Sequence, residues 1–261
     1  MCRLKKFNRA KSISLKTFLK TSVFFLHCFG LVSVCNSCEK DKTLIPVSEI
    51  LFNSNLTYGT LTDVDNNTYK TITIGTQIWM AENLRTTKYN DNSSIQLVID
   101  DSAWANLKTP GYCWFNNDEE NHRYVYGALY NWYSVNTGNL CPKGWHIPFK
   151  GEWITLAAFL NDNGGKLKET GIIHWDSPNT GATNESGFTA LPGGFRSRKG
   201  IFFSFRQAGF WWSASECTEC YALPEWEFLD ANDFSLGAES SGYGDQHDNM
   251  LYGYSVRCIK N

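Results

Sequence analysis

Cysteines are the residues whose spacing most directly suggests chemistry in this chain. Cys217 and Cys220 are separated by two residues. This spacing suits a local disulfide, half of a zinc site or a reactive dithiol. No second pair of His or Cys follows at zinc spacing, so a local disulfide is favoured over free thiols and over a metal site. Cys113, Cys141 and Cys258 bring the number of cysteines after the first 38 residues to five, an odd number.

Histidines, which most often act as catalytic bases, are scattered along the same part of the chain. They are His122, His146, His174 and His247. No known motif places a Ser, a Cys or a carboxylate beside any of them, so the sequence supports no catalytic triad. His146 is interpreted as a structural histidine. The sequence therefore names no catalytic residue, and we expect a non-enzymatic protein.

Acidic residues form three groups that resemble cation ligands. Asp63-x-Asp65-x-Asn67 has the start of a calcium-loop spacing, but Thr68 and Ile74 replace the glycine and the glutamate that such a loop needs. A turn is therefore favoured. The acidic segments 230–233 and 245–249 are interpreted as solvated surface, with a bound cation as the weaker alternative. No cofactor is predicted, and calcium is the only one left open.

Aromatic residues are concentrated in the last third of the chain. Exposed members among Phe202, Phe203, Phe205, Phe210 and Tyr243 would form a platform on which sugars stack. Each of them alone is more often part of a core.

Hydrophobic periodicity indicates the elements that must position these residues. The alternating run 68–74 predicts a strand, and 75–80 its hairpin return. Apolar stripes at helical spacing predict a short helix within 126–135 and a longer one over 152–161. Beyond residue 163 the chain is rich in Gly, Pro and Asn, as is typical of loops.

Charge is distributed unevenly along the 261 residues. Seven of the 24 Lys and Arg lie within the first twenty residues, whereas all 26 Asp and Glu follow residue 38. The body is therefore acidic, and an acidic body is repelled by phosphate backbones, which argues against nucleic acid as a partner.

The basic N-terminus is followed by an apolar run, 21–35, that is too short to span a membrane comfortably and has the length of a signal-peptide core. Cys38 follows the small residue Ser37, and this junction resembles those of lipoproteins from Bacteroidetes-type bacteria, although Cys35 replaces the usual Leu. The sequence thus predicts a lipoprotein signal peptide (1–37), an acylated Cys38 and a tether (38–57). One domain (58–261) would follow, anchored to the outer membrane or cell surface by lipid only. An ordinary signal peptide and a transmembrane anchor are the alternatives.

Seven segments in order resemble the Fibrobacter succinogenes major paralogous domain, a family of secreted and lipid-anchored bacterial proteins. They are 63–84, 112–118, 126–135, 141–148, 187–194, 211–215 and 254–259. The resemblance implies an α+β, C-type-lectin-like fold with short antiparallel sheets, two or three helices and long loops. This fold is similar to that of the formylglycine-generating enzymes. Family members usually place Ser or Thr after the proline of 145–148 as a helix cap, whereas this chain has Phe149.

The resemblance also bears on disulfides and on function. It implies a bridge between Cys141 and Cys258, with Cys113–Cys258 as the rival pairing. The copper-holding cysteine motif of the formylglycine-generating oxidases is not recognisable in this sequence. The calcium signatures of lectins are also absent, and 175–179 resembles them only distantly. We therefore expect the loop-rich part, about 165–250, to present a non-enzymatic binding face for glycans or protein partners. An envelope oxidase and a structural coat protein are the alternatives.

Overall fold

A computed structural model describes residues 49–217 and 230–261. The elements are, in chain order, β1 (Gly59–Thr62), β2 (Thr68–Ile74), β3 (Gln77–Met80), α1 (Asp101–Ala105), β4 (Tyr112–Cys113), α2 (Glu119–Tyr126), β5 (Leu129–Tyr130), α3 (Trp132–Val135), β6 (Trp145–His146), α4 (Lys150–Phe159), β7 (Phe195–Arg196), β8 (Phe202–Phe203), β9 (Ala208–Glu216), β10 (Asp230–Gly237), β11 (Gly244–Asn249) and β12 (Ile259–Lys260). The predicted signal peptide (1–37), Cys38 and Cys220 lie outside the described residues.

The largest sheet joins the two ends of the described chain. Its strand order is β1-β2-β3-β12-β6, and the ladders are antiparallel. The hairpin of β2 and β3 confirms the prediction for 68–80. The final strand β12 lies between β3 and β6, so the last strand of the chain pairs within the sheet that its first three strands form.

The remaining sheets are smaller and also antiparallel. They pair β4 with β5, β7 with β8, and β9 with β10 and β11. The expected mixed architecture with short antiparallel sheets is confirmed, although four α-helices occur within the described ranges instead of two or three.

The short helix predicted within 126–135 is confirmed only for its last part, which forms α3 (Trp132–Val135). The helix α2 ends at Tyr126, and the strand β5 (Leu129–Tyr130) lies in the break between the two helices. Gly127 causes this break, since its φ is +74° and a Cβ there would lie 2.7 Å from the Leu84 carbonyl oxygen. Only glycine fits this close approach without strain.

The helix predicted over 152–161 is confirmed as α4, and its missing cap is replaced from elsewhere. Phe149 supplies no side-chain acceptor, but the Ser215 hydroxyl on β9 accepts a hydrogen bond from the Lys150 N–H at 3.0 Å. The Glu152 carboxylate accepts another from the Phe149 N–H at 2.8 Å. The sheet β9–β10–β11 thus satisfies the start of α4 from outside the helix.

Replacing Ser215 by Ala should therefore lower the free energy of unfolding by about 1 kcal/mol, as loss of an N-cap acceptor does. Chemical denaturation measures the change. The exposed Ser54 is the control, and its replacement by Ala should change stability by less than ~0.5 kcal/mol. Equal effects of the two substitutions would contradict the capping role of Ser215.

Residues 49–57, assigned to the tether from sequence, instead pack on the domain. The Leu51 N–H donates to Glu169 Oε1 at 2.7 Å, and Asn53 Nδ2 donates to the Asn184 carbonyl at 3.0 Å. Phe52 and Leu56 pack against the hydrophobic core cluster that contains Trp79, Trp153 and Phe188. The tether expected over 38–57 is thus shorter than the sequence indicated, because its last apolar residues are partly buried.

The loop-rich region is held together by a buried ammonium. Lys168 is fully buried, and its Nζ donates to the carbonyls of Thr180 (2.8 Å), Gly237 (2.9 Å) and Ser240 (2.8 Å). Burial lowers the pKa of Lys168 to about 8. These contacts join two loops, the long segment between α4 and β7 and the turn after β10.

Candidate binding face of the second sheet

The sheet β9–β10–β11 has two faces, which its register defines. Side chains of directly paired residues lie on the same face, so Asp233 and its partner Trp212 lie together. Ala231 lies two residues before Asp233 and therefore on the same face. It pairs with Asp248 on β11, so the Asp248 carboxylate lies on this face as well. We call this side the outer face; it consists of Phe210, Trp212, Asp233, Ser235, Gln246 and Asp248.

The opposite, inner face of the sheet packs against α4. The Phe234 ring stacks on Trp153 with centroids 4.6 Å apart, and Trp211 belongs to the same core cluster. This packing fixes the sheet, because the inner face is buried in the protein core.

The outer face leads to a partly exposed aromatic cluster, which we call the aromatic patch: Phe195, Phe203, Phe210 and Tyr252. Phe195 is its centre, with ring centroids 5.6 Å from Phe203, 5.0 Å from Phe210 and 5.6 Å from Tyr252. Phe203 is 47% exposed, and the other three are half-buried. Aromatic surface of this kind, beside a few polar groups, is typical of ligand-binding sites.

Tyr254 is the base on which the aromatic patch rests. It is buried, stacks on Phe210 at 5.1 Å and lies 4.5 Å from Trp212 between centroids. Trp212 Nε1 donates to the Tyr130 carbonyl at 2.8 Å, which fixes its ring. The exposed rings therefore continue a rigid buried stack.

Two local features hold β7, and with it Phe195, in position. Gly194 has a φ of +63°, and a Cβ there would lie 2.4 Å from the Phe203 carbonyl oxygen, so glycine is required where β7 meets β8. The buried Arg196 donates to the carbonyls of Gly200 (2.8 Å) and Val98 (2.6 Å).

Carboxyl groups border the aromatic patch. Asp248 accepts a hydrogen bond from the Tyr254 hydroxyl at 2.5 Å. Partial burial raises the pKa of Asp248, and the neighbouring charge of Asp230 raises it further. Asp248 and Asp230 also raise the pKa of Tyr252, whereas Arg198 lowers it, so charges of both signs lie close to that ring.

Asp233 is the most unusual group of this site. It is 3% exposed, and its Oδ1 is buried without a hydrogen-bond partner. Burial raises the pKa of Asp233 to about 8, and the charges of Asp248 and Asp245 contribute. At neutral pH this side chain is therefore largely a neutral acid.

The interpretation of 230–233 and 245–249 as solvated surface is wrong in part. Asp233 is buried because the sheet pairs its strand on both sides. Asp245, on the inner side of β11, lies 3.6 Å from Lys150 Nζ, and Asp230 lies 3.3 Å from His247 Nδ1. Asp245, Gln246 and His247 remain exposed, as expected for surface residues.

The predicted aromatic platform forms only in part. Phe203 and Phe210 belong to the aromatic patch, whereas Phe205 stacks on Phe115 at 4.7 Å and Tyr243 stacks on Phe234 at 5.1 Å. Phe202 also packs against Phe115. Sequence reasoning missed Phe195 and Tyr252, and it named Asp233 and Asp248 only as surface acids; the alternation of polar and apolar residues along 233–236 was the available signal for a strand that buries Asp233.

The described cysteines are all buried, and they divide into disulfide-bonded cysteines and one free thiol. Cys141 and Cys258 form a disulfide that joins the loop before β6 to the segment before β12. Cys113 is a free buried thiol, and burial raises its pKa to about 12, which makes it unreactive. Cys217 is buried and disulfide-bonded. Since Cys220 lies outside the described residues, the bridge between these two stays a prediction.

The four histidines do not converge. His146 interacts with Glu152 at 2.9 Å and with the Asn261 side chain at 2.6 Å, as a structural histidine does. His174 is fully buried beside Glu169, with Nδ1 and Oε2 2.6 Å apart. His122 lies among aromatic rings, and burial lowers its pKa.

The calcium-like sequence around Asp63 forms a turn, as expected. Asp63 accepts hydrogen bonds from the N–H groups of Asp65 and Asn67, both at 2.9 Å, and from the Tyr69 hydroxyl at 2.6 Å. These donors occupy its oxygens. Within 49–217 and 230–261, no three His, Cys, Asp or Glu side chains are grouped so as to hold a metal ion.

No helix in these two ranges is both long enough and apolar enough to cross a membrane.

The fold and the outer face together define a mixed α+β domain, built from several short antiparallel sheets, that carries a partly exposed aromatic surface. Residues 72–260 match the Fibrobacter succinogenes major domain, and the protein belongs to this family. No curated protein and no solved structure matches the chain.

Proposed function

We propose that this protein is an exported, lipid-anchored component of the cell envelope whose domain binds a glycan on the aromatic patch, without catalysis. The aromatic patch carries the proposal. Its four rings are held by a buried stack, and Asp248, Gln246 and Ser235 supply polar groups beside them. Rings that stack on a sugar and carboxylate or amide oxygens that accept from its hydroxyls are the two elements such a site needs.

A protein ligand is the alternative within the same class, and a structural coat protein needs no ligand at all. Exposed aromatic residues also serve as hot spots of protein interfaces. The polar groups around the rings favour the glycan, because a site that can hydrogen-bond many hydroxyls suits a sugar better than an apolar side chain.

An oxidase of the formylglycine-generating type is the enzymatic alternative. It requires reactive thiols beside a pocket. Cys113 is buried with a raised pKa, and Cys141 and Cys258 are joined to each other, so these three do not supply such thiols. Binding is therefore favoured over oxidation.

We also propose that the domain has the C-type-lectin-like fold that the family resemblance implies. In support, β12 near the end of the chain pairs with β3 near its beginning, and a long loop-rich region separates α4 from β9.

Glycan binding is tested with a soluble protein that begins at Glu39, on a glycan array with and without calcium. Its described residues form their core and hydrogen bonds among themselves. We expect binding that Phe203→Ala weakens about tenfold, because an exposed stacking ring is removed. Phe159→Ala is the matched control, since Phe159 is also an exposed phenylalanine but lies on α4. Binding to no sugar, or equal losses in both variants, would contradict the proposal.

Lipid anchoring is tested separately, in the full chain expressed in a bacterium that processes lipoproteins. We expect a mature protein that starts at an acylated Cys38 and sediments with membranes. An acylated lipoprotein cysteine carries two or three acyl chains, and more than one chain is enough for stable anchoring. Cys38→Ser should release it into the soluble fraction, whereas Cys35→Ser should not. A mature chain that retains residues 1–37 would contradict export.

A further inference from the structure

Asp248 lies at the border of the aromatic patch, and among residues 49–217 and 230–261 its carboxylate has one hydrogen-bond donor, the Tyr254 hydroxyl. Within the described part of the chain it forms no ion pair, in contrast to Asp245 and Asp230. It is half-buried, so one side remains accessible. A carboxylate in this position is stabilised by a cation that arrives with a ligand.

Asp233 adds a second, independent observation on the same face. It is almost fully buried, shares the outer face with Asp248, and has one oxygen without a partner. Asp233 pairs with Trp212, whose ring lies 4.5 Å from Tyr254 between centroids, and Asp248 accepts from the Tyr254 hydroxyl, so both carboxyl groups lie beside one stack of rings. Because Asp233 is largely a neutral acid, the negative charge at this end of the aromatic patch is that of Asp248, which forms no ion pair within the described residues.

We propose that the ligand on the aromatic patch is a glycan containing an amino sugar, whose protonated amine lies against Asp248 while its ring stacks on the patch. This inference rests on the proposed function and narrows it to one class of glycan. The amine donates charge-assisted hydrogen bonds to Asp248, and the pyranose covers exposed aromatic surface.

The surrounding charges favour a single amine over a polybasic peptide. Burial raises the pKa of Tyr252 and the charge of Arg198 lowers it, so a cation of the protein already acts on this ring. That cation would repel a peptide that carries many positive charges.

The test compares two oligosaccharides that differ only in one acetyl group: a fully N-acetylated β-1,4-linked glucosamine oligomer and the same oligomer with a single free amine. Binding to the protein that begins at Glu39 is measured by calorimetry. We expect the free-amine oligomer to bind about tenfold more tightly, since an acetamide removes the charge-assisted hydrogen bond.

Two variants on the same strand make the test specific. Asp248→Asn keeps an oxygen that accepts from Tyr254 but removes the charge, and it should abolish the preference for the amine. Asp245→Asn removes a charge from the inner face of β11 and should leave the preference unchanged.

Equal or tighter binding of the acetylated oligomer would overturn the amino-sugar inference while leaving glycan binding in place. Binding of a lysine-rich peptide in place of either sugar would overturn the choice of glycan. If no sugar binds and Phe203→Ala changes nothing, the proposed function fails together with the inference.

Discussion

Asp233→Asn should make the protein more stable at pH 8, by at least ~2 kcal/mol, and should remove much of the pH dependence of its unfolding. The pKa of this carboxyl is raised from 3.8 to about 8 in the folded protein, because burial and the charges of Asp248 and Asp245 disfavour ionisation. Between these two pH values the folded state holds a proton that the unfolded chain releases. Stability is therefore lost as pH rises from about 4 to about 8. Asparagine has the same shape and does not ionise.

Urea denaturation at pH 4.5 and at pH 8 measures this effect. We expect the wild-type protein and Asp233→Asn to differ little at the lower pH and strongly at the higher one. Glu239→Gln is the control, because Glu239 is an exposed carboxylate in the turn after β10. If wild type and Asp233→Asn lose stability equally with rising pH, Asp233 is not buried as a neutral acid.

Arg257→Met should destabilise the fold by ~3–5 kcal/mol, the largest loss that we expect from a single substitution here. The buried guanidinium donates from Nε to Asn83 Oδ1 and from Nη2 to the Thr189 carbonyl, both at 2.8 Å, and also to the Phe188 carbonyl. It lies 4.2 Å above the Phe188 ring. Methionine fills part of the volume but removes the donors to the buried Phe188 and Thr189 carbonyls, whereas Asn83 Oδ1 keeps the hydrogen bond from Trp211 Nε1 at 2.9 Å.

Thermal or chemical unfolding of Arg257→Met measures this loss. Lys260→Met serves as the control, since Lys260 is an exposed cation three residues further along the chain. A midpoint for Arg257→Met that equals the control would show that the hydrogen bonds of Arg257 contribute nothing to stability. Burial lowers the pKa of Arg257 to about 9, so the cost of keeping it charged is already included in the native stability.

Local patterns predicted the elements whose burial follows from their own periodicity. The strand β2 alternates buried and exposed residues over 68–74, and α4 buries Trp153 and Leu156 on one stripe. The turn around Asp63 also follows from its own Asp and Asn side chains. These features depend on residues close in sequence, which is why they were found.

The aromatic patch was beyond the same reasoning, because its residues come together only through strand pairing. Phe195 and Phe203 meet across the β7–β8 ladder, and Tyr252 reaches them from the loop after β11. The burial of Asp233 likewise depends on β9 and β11 flanking its strand. The helix predicted within 126–135 formed only over Trp132–Val135, for a different reason: its apolar spacing is helical, but Gly127 ends α2 at a positive φ and Leu129–Tyr130 pairs with β4.

The docking of residues 49–57 on the domain restricts how far an anchored molecule can extend. If Cys38 is acylated as proposed, ten residues lie between it and Glu49, and a fully stretched chain covers at most ~40 Å from one to the other. A free segment as far as residue 57 would cover up to ~68 Å. The anchored domain would then stay within ~40 Å of the lipid headgroups, and its ligands would be molecules at the surface of the cell that carries it.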